Sequence, residues 1–374
     1  MEKGSEEKFK KGVSGIMRVK DDAEFIEACI ESCISALDEL IIVYNDCTDE
    51  SPQIIEKMQN KYPDKIKVFP YDYHIYALNL TKQEYEYALS LPKDSPHLLC
   101  NYYNFALSKV SRQYAMKIDA DQIYFTEKLK EICNVVRDEK QKTLSWRVLI
   151  GLLIYIWSSM VKKMNVWSNH ILPLLPLHMS DGLKKCYDCF LKYCMTRNMS
   201  LSFSGIHLIY SNGKWLVPLG LKKDNQNILP PFNGAGDHLL FRMVKGCYYE
   251  TYDSKGYSTL RNDQYTLIEK FVHPHRCICA GYFWAHLNMM RTVWRERNLQ
   301  LIKQYPDRFL EVKNMKKMDF YRLDKLIDCG VYLIPHRSYS QFCLYYDKKS
   351  LDGYLFDNVG SNHIMVTILN CFTK

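Results

Sequence analysis

The chain has 374 residues, and its 47% hydrophobic and 25% charged residues are typical of a globular protein with a large core. Its net charge of +8 is too small to indicate nucleic-acid binding, and it carries no nucleic-acid motif, but it suits a phosphorylated substrate or an acidic membrane surface. Because the charged start MEKGSEEKFKKG lacks the apolar segment of a secretory signal, we expect a cytoplasmic protein with reduced cysteines.

The first 125 residues alternate predicted strands with predicted helices. Such alternation predicts an α/β fold with a mostly parallel sheet, in which ligands bind at the carboxyl ends of the strands. The predicted strands are VSGIMR (13–18), LIIVY (40–44), IKVFP (66–70) and YAMKI (114–118), and the predicted helices span 25–37, 51–61 and 100–111.

Two aspartates, Asp119 and Asp121, directly follow the fourth predicted strand, and Asp46 follows the second. Neighbouring carboxylates repel unless a cation lies between them or one of them is protonated. Oxygen ligands of this kind suit Mg²⁺ or Mn²⁺, which keep open positions for phosphate oxygens. The pattern therefore favours a metal-bound diphosphate over a solvated strand-to-loop turn, which is the alternative.

Two common nucleotide motifs are missing from the sequence. No G-x-G-x-x-G follows the first strand, and no G-x-x-x-x-G-K-[ST] occurs anywhere. A dinucleotide-binding or P-loop protein therefore has little support.

The pattern changes after about residue 126. The segment 201–218 predicts two strands joined by a turn at Ser211, Asn212 and Gly213. The segment PPFNGAGDHLLF (230–241) predicts a glycine-rich turn leading into a helix that starts near Asp237, and from Arg291 the chain becomes basic and helical.

The longest apolar run, Val148 to Val161, has 14 residues, fewer than the roughly 20 that span a bilayer. It is either a core segment or a patch in a membrane interface, with Trp146, Trp157 and Trp167 near the headgroups.

Three cysteines of the segment KKCYDCFLKYC have a spacing that leaves two structures open. Cys186, Cys189 and Cys194 could ligate zinc with a fourth residue, but the apolar residues between them favour a packed helix.

Three stretches of the sequence resemble glycosyltransferases of the GT-A fold, and the large family-2 group in particular. SGIMRVKDDAEFIEACIESCISALDELIIVYNDCTDES resembles that group's opening strand, helix and second strand, and NYYNFALSKVSRQYAMKIDADQIY resembles the helix and strand that lead to its D-x-D motif. Segments within 200–291 are similar to bacterial transferases of capsule and lipopolysaccharide biosynthesis. The resemblance implies a Rossmann-like GT-A sheet with flanking helices, a helical insertion and a C-terminal extension.

The resemblance also implies a role for each matching residue. Asp121 would ligate Mn²⁺ or Mg²⁺ together with His286 and Asp119, with Asp119 acting through the ribose or a metal-bound water. Asp237 would be the general base of an inverting transfer, and the alternative is that it only caps a helix. For His286 the alternative is a histidine of the core that binds no metal. The nucleotide-sugar-binding residues would be Arg18, Asp46, Tyr103, Asn104, Lys117 and Asp119.

One position departs from the family pattern. Many members have an arginine that helps to hold the base where this chain has Tyr103, before Asn104. A tyrosine can stack on the base or bond it through its hydroxyl, so this position leaves the identity of the nucleotide open.

These observations predict a metal-dependent, inverting glycosyltransferase that moves a sugar, most simply a hexose, from a UDP-sugar to a glycan or lipid-linked acceptor. The expected halves are 1–125 for the nucleotide sugar and 126–290 for the acceptor, with an apolar insertion at 146–199 and a basic extension at 291–374. A retaining transferase, a sugar nucleotidyltransferase and a non-catalytic subunit of a polysaccharide assembly complex stay open as alternatives. The positive charge and the apolar run further suggest peripheral contact with anionic lipid on the inner face of the cell membrane.

Overall fold

A computed structural model describes residues 9–138, 143–156, 181–197, 200–223, 226–229, 232–252, 265–273 and 277–311. The described residues form two compact units. The first comprises those within Met1–Glu27, Leu37–Ala120 and Arg242–Arg276, and the second those within Ala28–Ala36, Asp121–Phe241 and Cys277–Lys374.

The helices and strands are numbered in chain order. The helices are α1 (Ile26–Cys33), α2 (Ser51–Lys61), α3 (Lys82–Ser90), α4 (Leu99–Ser108), α5 (Thr126–Arg137), α6 (146–156), α7 (Asp181–Thr196) and α8 (Thr292–Gln304). The strands are β1 (Lys10–Val19), β2 (Glu39–Tyr44), β3 (Ile66–Pro70), β4 (Arg112–Asp119), β5 (Gln122–Tyr124), β6 (Ser200–His207), β7 (Ile209–Ser211), β8 (Lys214–Pro218), β9 (Leu221–Lys223), β10 (Gln226–Ile228), β11 (Phe232–Arg242), β12 (Tyr248–Tyr252), β13 (Ile268–Val272), β14 (Cys277–His286) and β15 (Phe309–Glu311).

The first unit is built on four parallel strands in the order β3-β2-β1-β4. The apolar runs of β1, β2 and β4 are buried on both faces, as expected for a parallel sheet covered by helices, whereas the edge strand β3 is only partly buried. Gly15 of β1 is closely packed, because a Cβ there would lie 2.7 Å from Cδ1 of Leu37, which would have to shift. The predicted α/β fold with a parallel sheet is confirmed, and each predicted strand and helix of this region is present.

A buried carboxylate joins three strands of this sheet. Glu39, at the start of β2, accepts hydrogen bonds from Ser14 Oγ at 2.6 Å, from Lys67 Nζ at 2.6 Å, and from the backbone N (2.7 Å) and Oγ (2.6 Å) of Ser111. Burial alone would raise the pKa of Glu39, but these hydrogen bonds lower it to about 2. Glu39 is therefore charged at neutral pH and ties β1, β3 and the residue before β4 to β2.

The first unit also contains an antiparallel hairpin of β12 and β13. In its register Glu250 faces Lys270, and Thr251 faces Glu269. The hairpin places side chains of residues near 250 and 270 in the same unit as β1 and β4.

In the second unit, β11, β6, β14 and β5 are neighbours in that order. β11 pairs antiparallel with β6, β6 pairs parallel with β14, and β14 pairs antiparallel with β5. The predicted hairpin is confirmed, because β7 and β8 pair around Asn212 and Gly213, whose φ angles of 51° and 75° lie in the left-handed region.

The helix predicted to start near Asp237 is wrong. Residues 232–242 form the strand β11, which pairs with β6. The apolar residues after Asp237 fit a strand or a helix equally in so short a segment, and pairing with β6 decides for the strand.

A glycine and a tryptophan face each other inside the second unit. Gly205 of β6 is in register with Trp284 of β14, and a Cβ on Gly205 would lie 1.9 Å from Nε1 of the indole. Trp284 is fully buried and packs against Tyr124 of β5, with ring centroids 5.7 Å apart. This packing fixes the end of β14 against its neighbouring strands.

The helix α6 carries the first part of the apolar run and has two faces. Val148 and Ile154 are buried, whereas the large apolar side chains of Trp146, Leu149, Leu153 and Ile156 are between 42% and 63% exposed. The helix therefore has one face that fits a core segment and one that fits a membrane interface, the two alternatives for this run. The rest of the run, Trp157 and Trp167 lie outside the described residues. Within the described part of the chain, no helix has the length and hydropathy to cross a membrane.

The helix α7 carries Cys186, Cys189 and Cys194. Cys186 and Cys194 are buried, and burial raises the pKa of Cys194 to about 12. The packed helix favoured for this segment is present, and among the residues described the three cysteines are not grouped as metal ligands.

Candidate functional site

The parallel pairing of β1 with β4 brings charged residues together in the first unit. Arg18 is in register with Asp119, and Ile16 with Lys117. Because these positions lie near the carboxyl ends of both strands, they occupy the edge where α/β sheets bind ligands. The structure thus brings together Arg18, Lys117 and Asp119, three of the residues predicted to bind the nucleotide sugar.

Tyr103 of α4 lies beneath this cluster and is 2% exposed. The Arg18 guanidinium lies over its ring, with Cζ 3.3 Å from the centroid, and donates a hydrogen bond to its hydroxyl. Burial raises the pKa of Tyr103 well above its ordinary value, against the opposing effect of Arg18 and Lys117. The hydroxyl of Tyr103 is therefore protonated, and its ring supports Arg18.

Asn104, also predicted to bind the nucleotide sugar, is joined to the hairpin. Its Nδ2 donates to the backbone oxygen of Tyr249 at 2.9 Å, and its Oδ1 accepts from the backbone nitrogen of Tyr249 at 2.7 Å. The ring of Tyr249 stacks on Tyr103 at 4.5 Å. Asn104 thus fixes the strand β12 against α4.

Lys117 forms a buried ion pair with Glu269 of β13. Its Nζ lies 3.5 Å from Oε1, and the two side chains are 6% and 11% exposed. Burial would lower the pKa of Arg18, but Tyr103, Glu269 and Asp119 together raise it. Arg18 is therefore charged, and the carboxylates of Glu269 and Asp119 lie near enough to act on it.

Asp46 lies after β2 in a left-handed backbone conformation with φ of 43°. Its Oδ2 is 3.1 Å from His74 Nδ1 and 4.0 Å from Lys20 Nζ, and its side chain is 39% exposed. Asp46 is the most exposed carboxylate among the predicted site residues of this unit, which suits contact with a ligand.

A second group of possible metal ligands lies beside Asp46. Side-chain atoms of Asp21, Cys47 and Asp49 lie within 4.8 Å of one another, the one such group in the part of the chain that the structure describes. Asp21 accepts a hydrogen bond from Thr48 N at 2.6 Å, and Asp49 from Ala23 N at 2.9 Å. These bonds account for the group as a turn network that shapes the loop after β2.

In the second unit, Asp121 lies between a histidine and an arginine. His286 Nε2 is 3.2 Å from Asp121 Oδ1, and Arg291 Nη2 is 3.1 Å from Asp121 Oδ2. The side chain of Asp121 is 11% exposed, that of His286 is 13% and that of Arg291 is 25%. The structure therefore brings together Asp121 and His286, two of the three predicted metal ligands, and adds a cation beside them.

Strand pairing explains how these residues meet. His286 ends β14 and is in register with Gln122 at the start of β5, one residue after Asp121. On the other side it is in register with His207 at the end of β6, and the two imidazole rings lie 4.8 Å apart. Burial, and then the neighbouring His286, hold the pKa of His207 well below its ordinary value. A neutral His207 therefore supports the ring of His286.

The donor atoms at Asp121 suit a divalent metal. A carboxylate oxygen and an imidazole nitrogen, here 3.2 Å apart, are ligands that Mn²⁺ accepts, and the carboxylate also has Arg291 as a cationic partner on its other oxygen. These two ligand types are compatible with the metal that the sequence pattern predicts, and the metal site stays a prediction.

Asp237, the predicted base, lies in the strand β11, but its side chain lies outside the described residues. A residue within a strand does not cap a helix, so the structure does not support the alternative that Asp237 is a helix cap.

One protein-family model matches part of the chain. Residues 2–156 match the model of the family described as beta-1,4-N-acetylgalactosaminyltransferase (CgtA). The resemblance to glycosyltransferases is confirmed for this part of the chain. The match spans the parallel sheet and the Asp119–Asp121 motif, and it leaves β6, β11 and β14 outside it.

Solved structures are similar only in part. The glucosyl-3-phosphoglycerate synthase of Mycobacterium tuberculosis, in complex with Mn²⁺, UDP and glucosyl-3-phosphoglycerate, is 18% identical over 30% of this chain and 34% of that one, with a TM-score of 0.20. Residues 1–349 of S. aureus TarS in complex with UDP-GlcNAc are 16% identical over 48% of this chain and 53% of that one, with a TM-score of 0.24. The chain thus spans less than two thirds of either structure, and no curated protein matches it.

Four residues of the two clusters were not predicted from the sequence: Tyr249, Glu269, His207 and Arg291. Each residue reaches its cluster through strand pairing or through the turn after β14, so no local sequence pattern indicates its role. The basic character of the chain from Arg291 onward is the one available signal.

Proposed function

We propose that the protein is a glycosyltransferase that moves a sugar from a UDP-sugar to a hydroxyl of a glycan or lipid-linked acceptor. The observation that carries the proposal is the contact of Asp121 with His286, in a chain whose residues 2–156 match the model of a sugar transferase family. The activity for which that family is named makes UDP-N-acetylgalactosamine the first donor to test. A bacterial surface polysaccharide, in a capsule or lipopolysaccharide, is the class of product we infer from the resemblance.

In this proposal each cluster has a separate task. Asp46 and the cluster of Arg18, Lys117 and Asp119 bind the nucleotide, while Asp121 and His286 hold Mn²⁺ or Mg²⁺. The bound metal would offset the negative charge that develops on the departing diphosphate. Arg291 orients the carboxylate of Asp121 through its second oxygen.

The deciding experiment is a donor screen on the purified chain, with Mn²⁺ and with a chelator. We expect release of UDP from at least one UDP-sugar, and loss of that release with the chelator. Release of pyrophosphate from a sugar phosphate and UTP would instead identify a nucleotidyltransferase. Nucleotide-sugar binding without any turnover on glycan and lipid-linked acceptors would identify a binding subunit.

We further propose that the transfer inverts the anomeric centre and that Asp237 is the base. UDP-N-acetylgalactosamine has an α-linked sugar, so a β-linked product, as in the family description, requires inversion. Asp237→Asn keeps the side-chain size but cannot accept a proton, so turnover should fall by roughly a hundred- to ten-thousand-fold while donor binding stays unchanged. A near-normal rate, or an α-linked product in the NMR spectrum, would contradict this assignment.

We also propose peripheral contact with an anionic membrane on its cytoplasmic side. The exposed apolar side chains of α6 include Trp146, and the adjacent Arg147 has its guanidinium 5.3 Å from the indole ring centroid. A tryptophan beside a cation suits the headgroup region of a bilayer, where apolar and charged groups meet. Such contact would bring a lipid-linked acceptor to the enzyme.

A further inference from the structure

His74 contacts Asp46, one of the residues that the proposed function assigns to the nucleotide. Nδ1 of His74 lies 3.1 Å from Oδ2 of Asp46, within hydrogen-bond distance. A carboxylate oxygen accepts hydrogen bonds, so Nδ1 of His74 is the donor and carries the hydrogen. Asp46 follows β2 and His74 follows β3, the neighbouring parallel strand of the first unit. Both residues therefore lie in loops at the carboxyl edge of this sheet, where ligands bind.

The contacts of Asp46 hold one oxygen of its carboxylate. Nζ of Lys20 approaches the same oxygen as His74, Oδ2, at 4.0 Å. A hydrogen-bond donor and a cation on Oδ2 limit the rotation of the carboxylate about its Cβ–Cγ bond, and so they determine where Oδ1 points. The backbone at Asp46 has a φ of 43°, in the left-handed region that is uncommon for residues other than glycine. The orientation of Asp46 is thus set by its partners as well as by its backbone.

His74 is itself fixed by its surroundings. Its backbone oxygen accepts a hydrogen bond from Nδ1 of His97 at 2.8 Å, and the backbone nitrogen of Tyr76 donates to the backbone oxygen of His97 at 3.0 Å. The ring of Tyr76 lies edge-on to the imidazole of His74, with centroids 4.9 Å apart, and packs in turn on Tyr87 of α3 at 5.5 Å. These contacts hold the imidazole in place beside Asp46.

The pair of His74 and Asp46 is too exposed to stabilise the fold strongly. Their side chains are 56% and 39% exposed. Exposed pairs contribute little to the free energy of unfolding, because water solvates each partner. A nucleotide bound at Asp46 would displace that water, and the hydrogen bond from His74 would then become stronger. The contact is therefore expected to matter more for ligand binding than for stability.

We infer that His74 is a positioning residue of the proposed nucleotide site: by donating to Oδ2, it directs Oδ1 of Asp46 toward a hydrogen-bond donor of the nucleotide. An N–H group of the base or a hydroxyl of the ribose is a donor of this kind. This inference rests on the proposed function. It adds to the site a residue from the loop after β3, a segment to which no sequence motif assigns a role.

The test is calorimetric binding of UDP with Mn²⁺, a readout that needs no acceptor and no turnover. His74→Phe keeps an aromatic ring beside Tyr76 but removes the donor, so UDP binding should weaken by about three- to ten-fold, the range for one hydrogen bond. His74→Asn places an amide N–H close to the position of Nδ1 and should restore binding to within about two-fold of wild type. In the Asp46→Ala background, His74→Phe should have little further effect, because the group that His74 positions is gone.

The matched control is Tyr73→Phe, which removes a hydroxyl from a 47% exposed side chain of the same loop and should leave UDP binding unchanged. The melting temperature should stay close to wild type in His74→Phe and in the control, as is typical of exposed positions. Unchanged UDP binding by His74→Phe, a loss that His74→Asn does not restore, or an equal loss in the Asp46→Ala background would overturn the inference while the proposed function stands. Failure of the wild-type chain to bind UDP or any UDP-sugar would instead overturn the proposed function, and this inference with it.

Discussion

Two buried carboxylates, Glu39 in the first unit and Asp121 in the second, have very different partners. Glu39 accepts four hydrogen bonds from three residues that belong to different parts of its own sheet. Asp121 has a histidine on one oxygen and an arginine on the other, and both partners lie around the end of β14. Burial alone therefore does not distinguish the two carboxylates, and the imidazole of His286 beside Asp121 is what supports the proposed metal site there.

The largest effect in this comparison should come from Asp121→Asn. The variant keeps the size of the side chain but removes the charge that a divalent metal and Arg291 require. Loss of metal-assisted charge stabilisation costs several kcal/mol, so UDP release should fall by roughly a hundred-fold or more. The melting temperature should change little, and Asp94→Asn, at an exposed position, is the control. A rate close to wild type would remove Asp121 from the proposed site.

Glu39→Gln should give the opposite result, with loss of stability and little change in turnover of the folded fraction. The pKa of Glu39 is lowered from 4.5 to about 2, so its ionised form stabilises the fold above about pH 4.5, and that stabilisation is lost as the pH falls toward 2. The substitution should cost up to about 3 kcal/mol at pH 7, measured by urea unfolding.

The pH dependence separates this effect from a packing defect. Because Gln does not titrate, the difference in stability between wild type and Glu39→Gln should shrink as the pH approaches 2. Glu56→Gln, at an exposed position of α2, should leave unfolding unchanged at every pH. A difference that stays constant between pH 7 and pH 3 would mean that hydrogen-bond geometry, rather than charge, is what Glu39 supplies.

His286→Ala should have an intermediate effect. If His286 holds the metal, calorimetry should show Mn²⁺ binding weakened by roughly ten- to hundred-fold, the size of effect known for residues that support metal sites. The melting temperature should fall by less than a comparable core substitution would produce. A large fall in melting temperature with unchanged Mn²⁺ affinity would show that His286 is a core histidine.

The smallest effect should be membrane binding. Sedimentation with vesicles that contain anionic lipid should recover part of the protein, and the recovered fraction should fall as salt rises, because salt screens the charges. Replacement of Trp146 and Leu153 by Ser should lower recovery several-fold without a change in UDP release, since both side chains are exposed. Equal recovery of this variant and the wild type would mean that the exposed face of α6 does not bind the membrane.

Much of the first unit could be predicted from the sequence because its strands are short apolar runs between turn residues. The four parallel strands and the position of Asp119 at the end of β4 follow from such local patterns. The partners Glu269 and Tyr249 could not be predicted, since they reach Lys117 and Tyr103 through the register of a hairpin more than a hundred residues later. The prediction of a helix at Asp237 is wrong for a related reason. Only the pairing with β6, a separate strand, shows that the segment of Asp237 is a strand.

The pair of Gly205 and Trp284 also limits how this chain can evolve. A methyl group at 205 would lie 1.9 Å from the indole nitrogen, so no other amino acid is compatible with Trp284 in place. A smaller residue at 284 would open a cavity the size of the lost ring. A substitution at either position is therefore tolerated only together with a substitution at the other. Among homologues, we therefore expect positions 205 and 284 to covary. The same steric constraint applies to the strand β14, which ends at His286.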